Sequence, residues 1–290
     1  MTSGPAIAGL REAILRVFPE LAGATFTCLG VGWHSTAVDV DDRLIFKFPH
    51  HEAAERALMR EASLLAVVRP AVSMPVPDLT LHSGPPLFSR HEKIRGGHLL
   101  TEQYDRLTEQ ARRDLAERLA RFYAELHGLD PEIMRRAGAG SVEAWLPPDV
   151  IVEKALPALP AGLRAVAGRA VAEWRELPPD PYGMVYGFFD GHGWNMAFDH
   201  DGQKLNGVYD LADSGFGALH QEFIYSSFIS PDLTERIVTG YEALTGRRLD
   251  RRRIALLTGI LRLSELAQHA DHPDHGPAMI RNVAEWAGTV

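Results

Sequence analysis

Glu61 does more than any other residue to limit how this chain can fold. The segment His51–Val68 sets Ala54, Leu58, Ala62, Leu65 and Val68 on one stripe at helical period, and Glu61 falls in the middle of it. Glu52 and Glu55 project from the flank, where helix carboxylates are normally solvated. A lone buried carboxylate is costly, so either the helix turns until Glu61 reaches water or a cation comes to meet it. The nearest candidate is one element upstream. Leu44–Pro49 reads as a strand, and its alternation points Lys47 away from Phe46 and Phe48. A strand lysine is ordinarily solvated; here it is also the partner that Glu61 lacks.

Around this pair the N-terminal third reads as sheet. Thr25–Leu29 and Ala37–Val40 are short strands flanking Gly30-Val31-Gly32-Trp33-His34-Ser35. Such a tip is either an ordinary hairpin turn or a place where the backbone approaches a ligand and its N–H groups hold phosphate oxygens. Pro70–Pro77 ends the helix, and Leu79–His82 and Pro86–Arg90 give two more strands about a Ser83-Gly84-Pro85 turn. His91–Gly97 is polar and Gly-terminated, which suits a hinge.

Beyond the hinge the period changes from two to 3.6. Leu115, Leu119, Phe122 and Leu126 recur along a helix ending at His127-Gly128, whose apolar side is expected to pack beneath the loop carrying Asp190. Leu163–Leu177, Phe223–Ile229, Leu233–Leu244, Ile254–Ala267 and Met279–Ala287 also read as helices, Leu177–Pro181 as a rigid connector and Ser214–Gly217 as a flexible loop. No chemistry stands out between Leu129 and Pro181. The expected fold is therefore α+β and bilobal, with a strand-rich lobe over residues 1–92 and a helical lobe over 93–290.

Val185–Phe198 (VYGFFDGHGWNMAF) and Asn206–Asp213 (NGVYDLAD) place Asp190, Asn195 and Asp210 at the ends of short apolar runs. Two carboxylates and an amide suit a hard divalent cation and a phosphate tail better than they suit zinc. Composition narrows the class further. With 46% apolar and 23% charged residues the chain is neither disordered nor membrane-like, and no run approaches the ~20 apolar residues of a bilayer span. The first residues, with Arg11, Glu12 and Arg16, lack the order of a signal peptide, and Cys28 is the single cysteine, so a reducing, cytoplasmic setting is expected. A net charge of −8 gives no reason to expect nucleic acid and favours a cationic small molecule.

Gly30-x-Gly32, Lys47, Glu61, the Asp190-x4-Asn195 loop and Asp210-Leu-Ala-Asp213 occur together in an order that resembles the aminoglycoside phosphotransferase family, relatives of the protein kinases. The resemblance spans about residues 25–270. It implies a kinase-like fold with ATP, or GTP in its place, bound under Gly30, Gly32 and Ser35, and with adenine against the backbone of Ser89, His91 and Ile94. It further implies Lys47 and Glu61 as the phosphate-orienting pair, Asp190 as the base for an acceptor hydroxyl, and Asn195 and Asp210 as the Mg²⁺ ligands. Phe188-Phe189 stand where the family commonly has His-Gly, and Ala212 where kinases have Gly; neither change removes a group that touches phosphate.

His192 either approaches substrate or bonds local backbone, and Asp213 either caps a turn or orients the Asp190 loop. His269, His272 and His275, with Pro273 and Gly276 among them, read as a solvated loop rather than a zinc site. Glu222, Asp232, Glu235, Asp271 and Asp274 are the acids that could meet a polyamine sugar, although such carboxylates are usually solvated faces. The expected activity is phosphoryl transfer to the hydroxyl of an aminoglycoside-like or other amine-bearing metabolite. The alternatives are a nucleotide-binding pseudokinase, against which the intact Asp190 speaks, and a protein kinase, which the short segment between Asp210 and Phe223 disfavours.

Overall fold

The protein was examined as a computed structural model that describes residues 5–31, 35–273 and 275–289. In chain order the first half holds α1 (Pro5–Val17), β1 (Phe26–Val31), β2 (Ser35–Val40), β3 (Leu44–Pro49), α2 (Glu52–Val68), β4 (Thr80–His82) and β5 (Phe88–Glu92). Then come α3 (Thr101–Asp105), α4 (Glu109–His127), α5 (Pro131–Arg136), α6 (Pro148–Ala158) and α7 (Ala161–Arg175). The remainder holds β6 (Met184–Gly187), β7 (Met196–Asp199), β8 (Lys204–Val208), β9 (Gly215–Ala218), α8 (Pro231–Thr245), α9 (Arg251–His269) and α10 (Gly276–Ala287). Short 3-10 turns link several of these, the longest being Leu219–Phe228.

These elements pack as two units. The first comprises the chain up to Leu99 together with Gly128–Gly140 and Trp194–Ala212; the second comprises Leu100–His127, Ser141–Gly193 and everything after Ala212.

In the first unit five antiparallel strands run in the order β1-β2-β3-β5-β4. Strand β3 shows why its two faces differ. Leu44, Phe46 and Phe48 are buried while Ile45, Lys47 and Pro49 are only half-buried. The Phe face joins a core with Ala13 and Ile14 of α1, Val38, Val40 and Phe88, in which the Phe48 and Phe88 rings lie 5.0 Å apart. The other face turns Lys47 toward α2. That helix begins at His51, whose Nδ1 accepts the Ala54 N–H at 3.2 Å as an N-cap. It buries Ala54, Leu58, Leu64, Leu65 and Val68, and Glu61 with them. A hairpin of β7 and β8 completes this unit, and Gly97 bonds Phe198 on β7 through both backbone groups at 2.8 Å.

In the second unit α6, α7, α9 and α10 share a core around Ile151, Val171, Ile260, Leu263 and Trp286. Helix α9 is buried over most of its length from Arg253 to Ala267, and the Trp286 indole donates to the Ala255 carbonyl at 2.8 Å. Strands β6 and β9 pair antiparallel, with Gly187 opposite Gly215 and Val185 opposite Gly217. Residues 215–217, expected as a flexible loop, are thus a buried strand: a Gly-Phe-Gly run carries no alternation that marks a strand, and its pairing partner lies about thirty positions earlier. Helix α6 was likewise not anticipated, because Pro147, Pro148 and Pro157 read as breaks. Two of these prolines are tolerated because they flank or open α6, where no backbone donor is needed.

Candidate active site

The first unit holds Lys47, Glu61, Asn195 and Asp210. Lys47, at the middle of β3 opposite Ala37 on β2 and Ser89 on β5, sends its ammonium to Glu61 Oε2 at 3.3 Å and to Asp210 Oδ1 at 2.7 Å. The buried glutamate is therefore met by a cation rather than rotated to water, as its place in the stripe requires. Its second oxygen, Oε1, accepts the backbone N–H of Leu211 at 2.9 Å, and the neighbouring Arg60 donates to the Ala212 carbonyl at 2.9 Å. Two consecutive residues of α2 thus hold the segment that follows Asp210. Burial works against the Lys47 ammonium, but the carboxylates of Glu61 and Asp210 outweigh it and push its pKa up. Burial raises the Glu61 carboxyl in turn, against the pull of Lys47.

Asp210 and Asn195 stand at the same end of the β7–β8 hairpin. Met196 pairs with Val208, and one position further out the Tyr209 N–H donates to the Asn195 carbonyl at 3.0 Å. The Tyr209 hydroxyl donates to the Trp194 carbonyl at 2.9 Å, so Tyr209 staples both oxygen-bearing residues to one edge. Asn195 is buried, whereas the Asp210 side chain is 47% exposed. Asp210 takes φ +62°, a left-handed conformation that aspartate tolerates better than most side chains. A carboxylate and an amide oxygen, one of them open to solvent beside a lysine, form a donor set that fits Mg²⁺, which keeps few protein ligands and takes the rest from phosphate and water.

The remaining nucleotide-side expectations lie on or beside the same sheet. Ser89 is fully buried, with its Oγ lacking a hydrogen-bond partner among the described residues. His91, two positions on, donates from Nδ1 to the Glu92 carbonyl at 2.8 Å, and Ile94 lies against Gly207 of β8. Gly30 lies near the end of β1 opposite Ala37 beyond a bulge, and Ser35 opens β2 opposite Pro49. Gly32 lies outside the described residues.

Asp190 belongs to the second unit, where α4 supports its loop as expected: the Phe122 and Phe188 rings lie 6.0 Å apart, and Tyr123 sits directly under Gly191. The Asp190 carboxylate meets His192 Nε2 at 3.0 Å, while the His192 backbone N–H donates to the Asp190 carbonyl at 2.8 Å. The His192 ring therefore meets the Asp190 carboxylate itself, a contact that neither reading of the sequence included. Asp213 ends the 3-10 turn Leu211–Asp213 and is exposed.

What shapes this loop is a residue that the sequence placed on the surface. Glu222 is fully buried and accepts two successive backbone donors at 2.9 Å, Phe188 N–H on Oε2 and Phe189 N–H on Oε1. Phe189 has φ +53°, a strained conformation for a bulky residue that costs about 1–3 kcal/mol and immediately precedes Asp190. Behind Glu222 a polar chain recedes into the unit. His127 Nε2 donates to Glu222 Oε2 at 3.2 Å, its Nδ1 meets the Tyr241 hydroxyl at 2.9 Å, and Arg247 donates to that hydroxyl at 3.2 Å. Two glycines make the room: a Cβ on Gly187 would stand 1.9 Å from Glu222 Oε2, and one on Gly217 would stand 2.5 Å from the Phe189 ring. The sequence carries little signal for it, because Glu222 follows His220 and Gln221 and reads as part of a polar patch.

Two other acids expected to face a polyamine are also engaged within the protein. Asp232 accepts from Tyr104 at 2.5 Å and Arg236 at 2.8 Å, and Glu235 pairs with Arg251 at 3.2 Å. Asp271 is exposed, and Asp274 lies outside the described residues.

Comparison with known proteins was made on this basis. The family described as the phosphotransferase enzyme family matches residues 25–257. A search of curated protein sequences found no match. Among solved structures, the GDP complex of wild-type aminoglycoside 2'-phosphotransferase-IIIa is 19% identical with a TM-score of 0.82, covering 97% of this chain and 98% of its own. The streptomycin–ATP–APH(2")-IIa ternary complex is 16% identical with a TM-score of 0.67, covering 99% and 97%. The apoenzyme of macrolide 2'-phosphotransferase MphH from Brachybacterium faecium is 16% identical with a TM-score of 0.66, covering 94% and 98%. At these identities the shared property is the fold: a strand-rich, antiparallel N-terminal sheet and a helical C-terminal part, as in the kinase-like phosphotransferases.

Proposed function

Since the chain belongs to the phosphotransferase enzyme family, we propose that it transfers the γ-phosphoryl group of ATP, or of GTP in its place, to a hydroxyl of a small molecule. The observation that carries this reading is the Lys47 ammonium fixed between Glu61 at 3.3 Å and Asp210 at 2.7 Å, an ion-paired lysine of the kind that orients nucleotide phosphates. Gly30, Gly32 and Ser35 would cover those phosphates, and the β5 backbone from Ser89 to Ile94 would take the base. Asn195 and Asp210 would hold Mg²⁺, which when bound neutralises charge on the phosphate oxygens.

Asp190 is assigned to the acceptor. It accepts the proton of the attacking hydroxyl while that oxygen bonds to the γ-phosphorus and the bond to the bridging β-oxygen breaks, so the nucleoside diphosphate departs with the electron pair. His192, 3.0 Å from the Asp190 carboxylate, fixes its orientation. Phosphoryl transfer of this type depends mainly on positioning and charge stabilisation.

Incubation with MgATP and a panel of hydroxylated metabolites, read by mass gain of one phosphoryl group, tests the reading. Acceptor-dependent transfer supports it; nucleotide binding with no transfer to any acceptor would identify a pseudokinase instead. Asp210→Asn separates charge from backbone, because asparagine tolerates the same left-handed φ. It should weaken MgATP binding roughly 10- to 100-fold, the value of one charge-assisted contact. Calorimetric titration with and without Mg²⁺ checks this: equal loss in both conditions would remove Asp210 from the metal role.

A further inference from the structure

Arg262 is the most poorly matched charge in the second unit. It lies on α9 between Leu261 and Leu263 and is only 7% exposed, yet its nearest carboxylate oxygen, Glu265 Oε2, is 3.7 Å from Nη1, beyond hydrogen-bonding reach. Both of those atoms are buried without a hydrogen-bond partner among the described residues. The guanidinium carbon rests 3.4 Å over the Phe228 ring. That ring is 6.2 Å from the His192 ring, and His192 Nε2 is 3.0 Å from Asp190. An under-bonded guanidinium therefore stands two ring contacts from the group assigned to the acceptor hydroxyl. Burial pushes the Arg262 pKa down and the Glu265 carboxyl up, as expected where a loose pair leaves both charges short of partners.

A guanidinium presents a planar fork that matches an oxyanion with two parallel bonds, and burial makes each such bond count. The surroundings disfavour the opposite ligand. Three of the five acids named for an ammonium-rich acceptor are engaged within the protein, Glu222 by the Phe188 and Phe189 N–H groups, Asp232 by Tyr104 and Arg236, and Glu235 by Arg251, while Asp271 is exposed. A polyamine brought to Asp190 would meet the Arg262 charge, which Glu265 offsets only from 3.7 Å.

We infer that Arg262 is a recognition group on the acceptor side, and that the acceptor carries an oxyanion, a carboxylate or a phosphate ester, near the hydroxyl that is phosphorylated. This rests on the assignment of Asp190 to the acceptor, and it replaces the amine-bearing acceptor expected from net charge.

The test is titration calorimetry with the nucleotide site saturated by Mg²⁺ and a non-hydrolysable ATP analogue. The probes are glucuronate, glucose 6-phosphate, glucose, glucosamine and kanamycin, the first two separating a carboxylate from a phosphate source. At least one oxyanion should bind more tightly than glucose, and Arg262→Met should weaken it about 10- to 100-fold. Glu265→Gln should tighten it severalfold, a gain that a misfolded variant cannot produce. Equal oxyanion binding by wild type and Arg262→Met, no oxyanion binding at all, or preference for kanamycin would each overturn the inference. Transfer assays on the same probes keep the two readings apart. Arg262-dependent binding without transfer counts against the kinase and leaves the subsite standing. Transfer without Arg262 dependence does the reverse.

Discussion

Asp190→Ala is expected to lower kcat roughly 100- to 10,000-fold, the range of a positioned general base, while nucleotide affinity stays within about twofold of wild type. The separation follows from where the bonds are. Lys47 is held by Glu61 and Asp210, and Glu61 by the Leu211 N–H, so the nucleotide-side cluster keeps its geometry without Asp190. Single-turnover transfer gives the first quantity and nucleotide titration the second. Equal turnover in the two proteins would sink the mechanism, whereas loss of nucleotide affinity would move Asp190 from the acceptor to the phosphates.

The second large effect belongs to Glu222, a positioning residue that acts through the backbone. Truncation to Ala leaves the Phe188 and Phe189 N–H groups and His127 without their buried acceptor, which costs on the order of 3–5 kcal/mol of stability, as for breaking a buried pair. Glu222→Gln is the sharper probe because it keeps shape and turns one oxygen into a donor facing another donor. Its melting temperature should fall less than that of the Ala variant, but its kcat should drop about 10- to 100-fold, as when a reacting group is displaced by a fraction of an ångström. Nucleotide Kd and acceptor KM should change little. A stability loss with kcat intact would show that Glu222 only holds the fold together.

How much of this could be read in advance depended on whether a residue broke a pattern. Glu61 broke an apolar stripe, and that misfit led to Lys47 and the architecture around it. Asn195 and Asp210 were legible because oxygen donors closed short apolar runs. Arg262 broke a pattern too, in α9, but it rests on an aromatic ring that leaves no complementary charge to find; Glu222, beside His220 and Gln221, reads as part of a polar patch, and its partners are two backbone N–H groups and the sequence-distant His127. The His192–Asp190 contact was hidden because ring direction in a glycine-flanked loop is set by packing. Strand β9 escaped because its Gly217 makes room for the Phe189 ring, so the Gly-Phe-Gly run shows no alternation.

The first unit is threaded by three separate passages of the chain, and the last of them, Trp194–Ala212, brings Asn195, Asp210 and the Leu211 N–H that Glu61 requires. No single cut therefore yields a self-sufficient half. A fragment ending at Leu99 would keep Lys47 and Glu61 but lose Asp210 and the Leu211 N–H that bond them, together with the β7–β8 hairpin bonded to Gly97. Recombination between relatives would have to exchange this late nineteen-residue insert along with the N-terminal sheet, because the inheritance of one without the other strands a carboxylate in the core. Crossovers that respect this linkage are the ones from which functional chimaeras of this chain can be built.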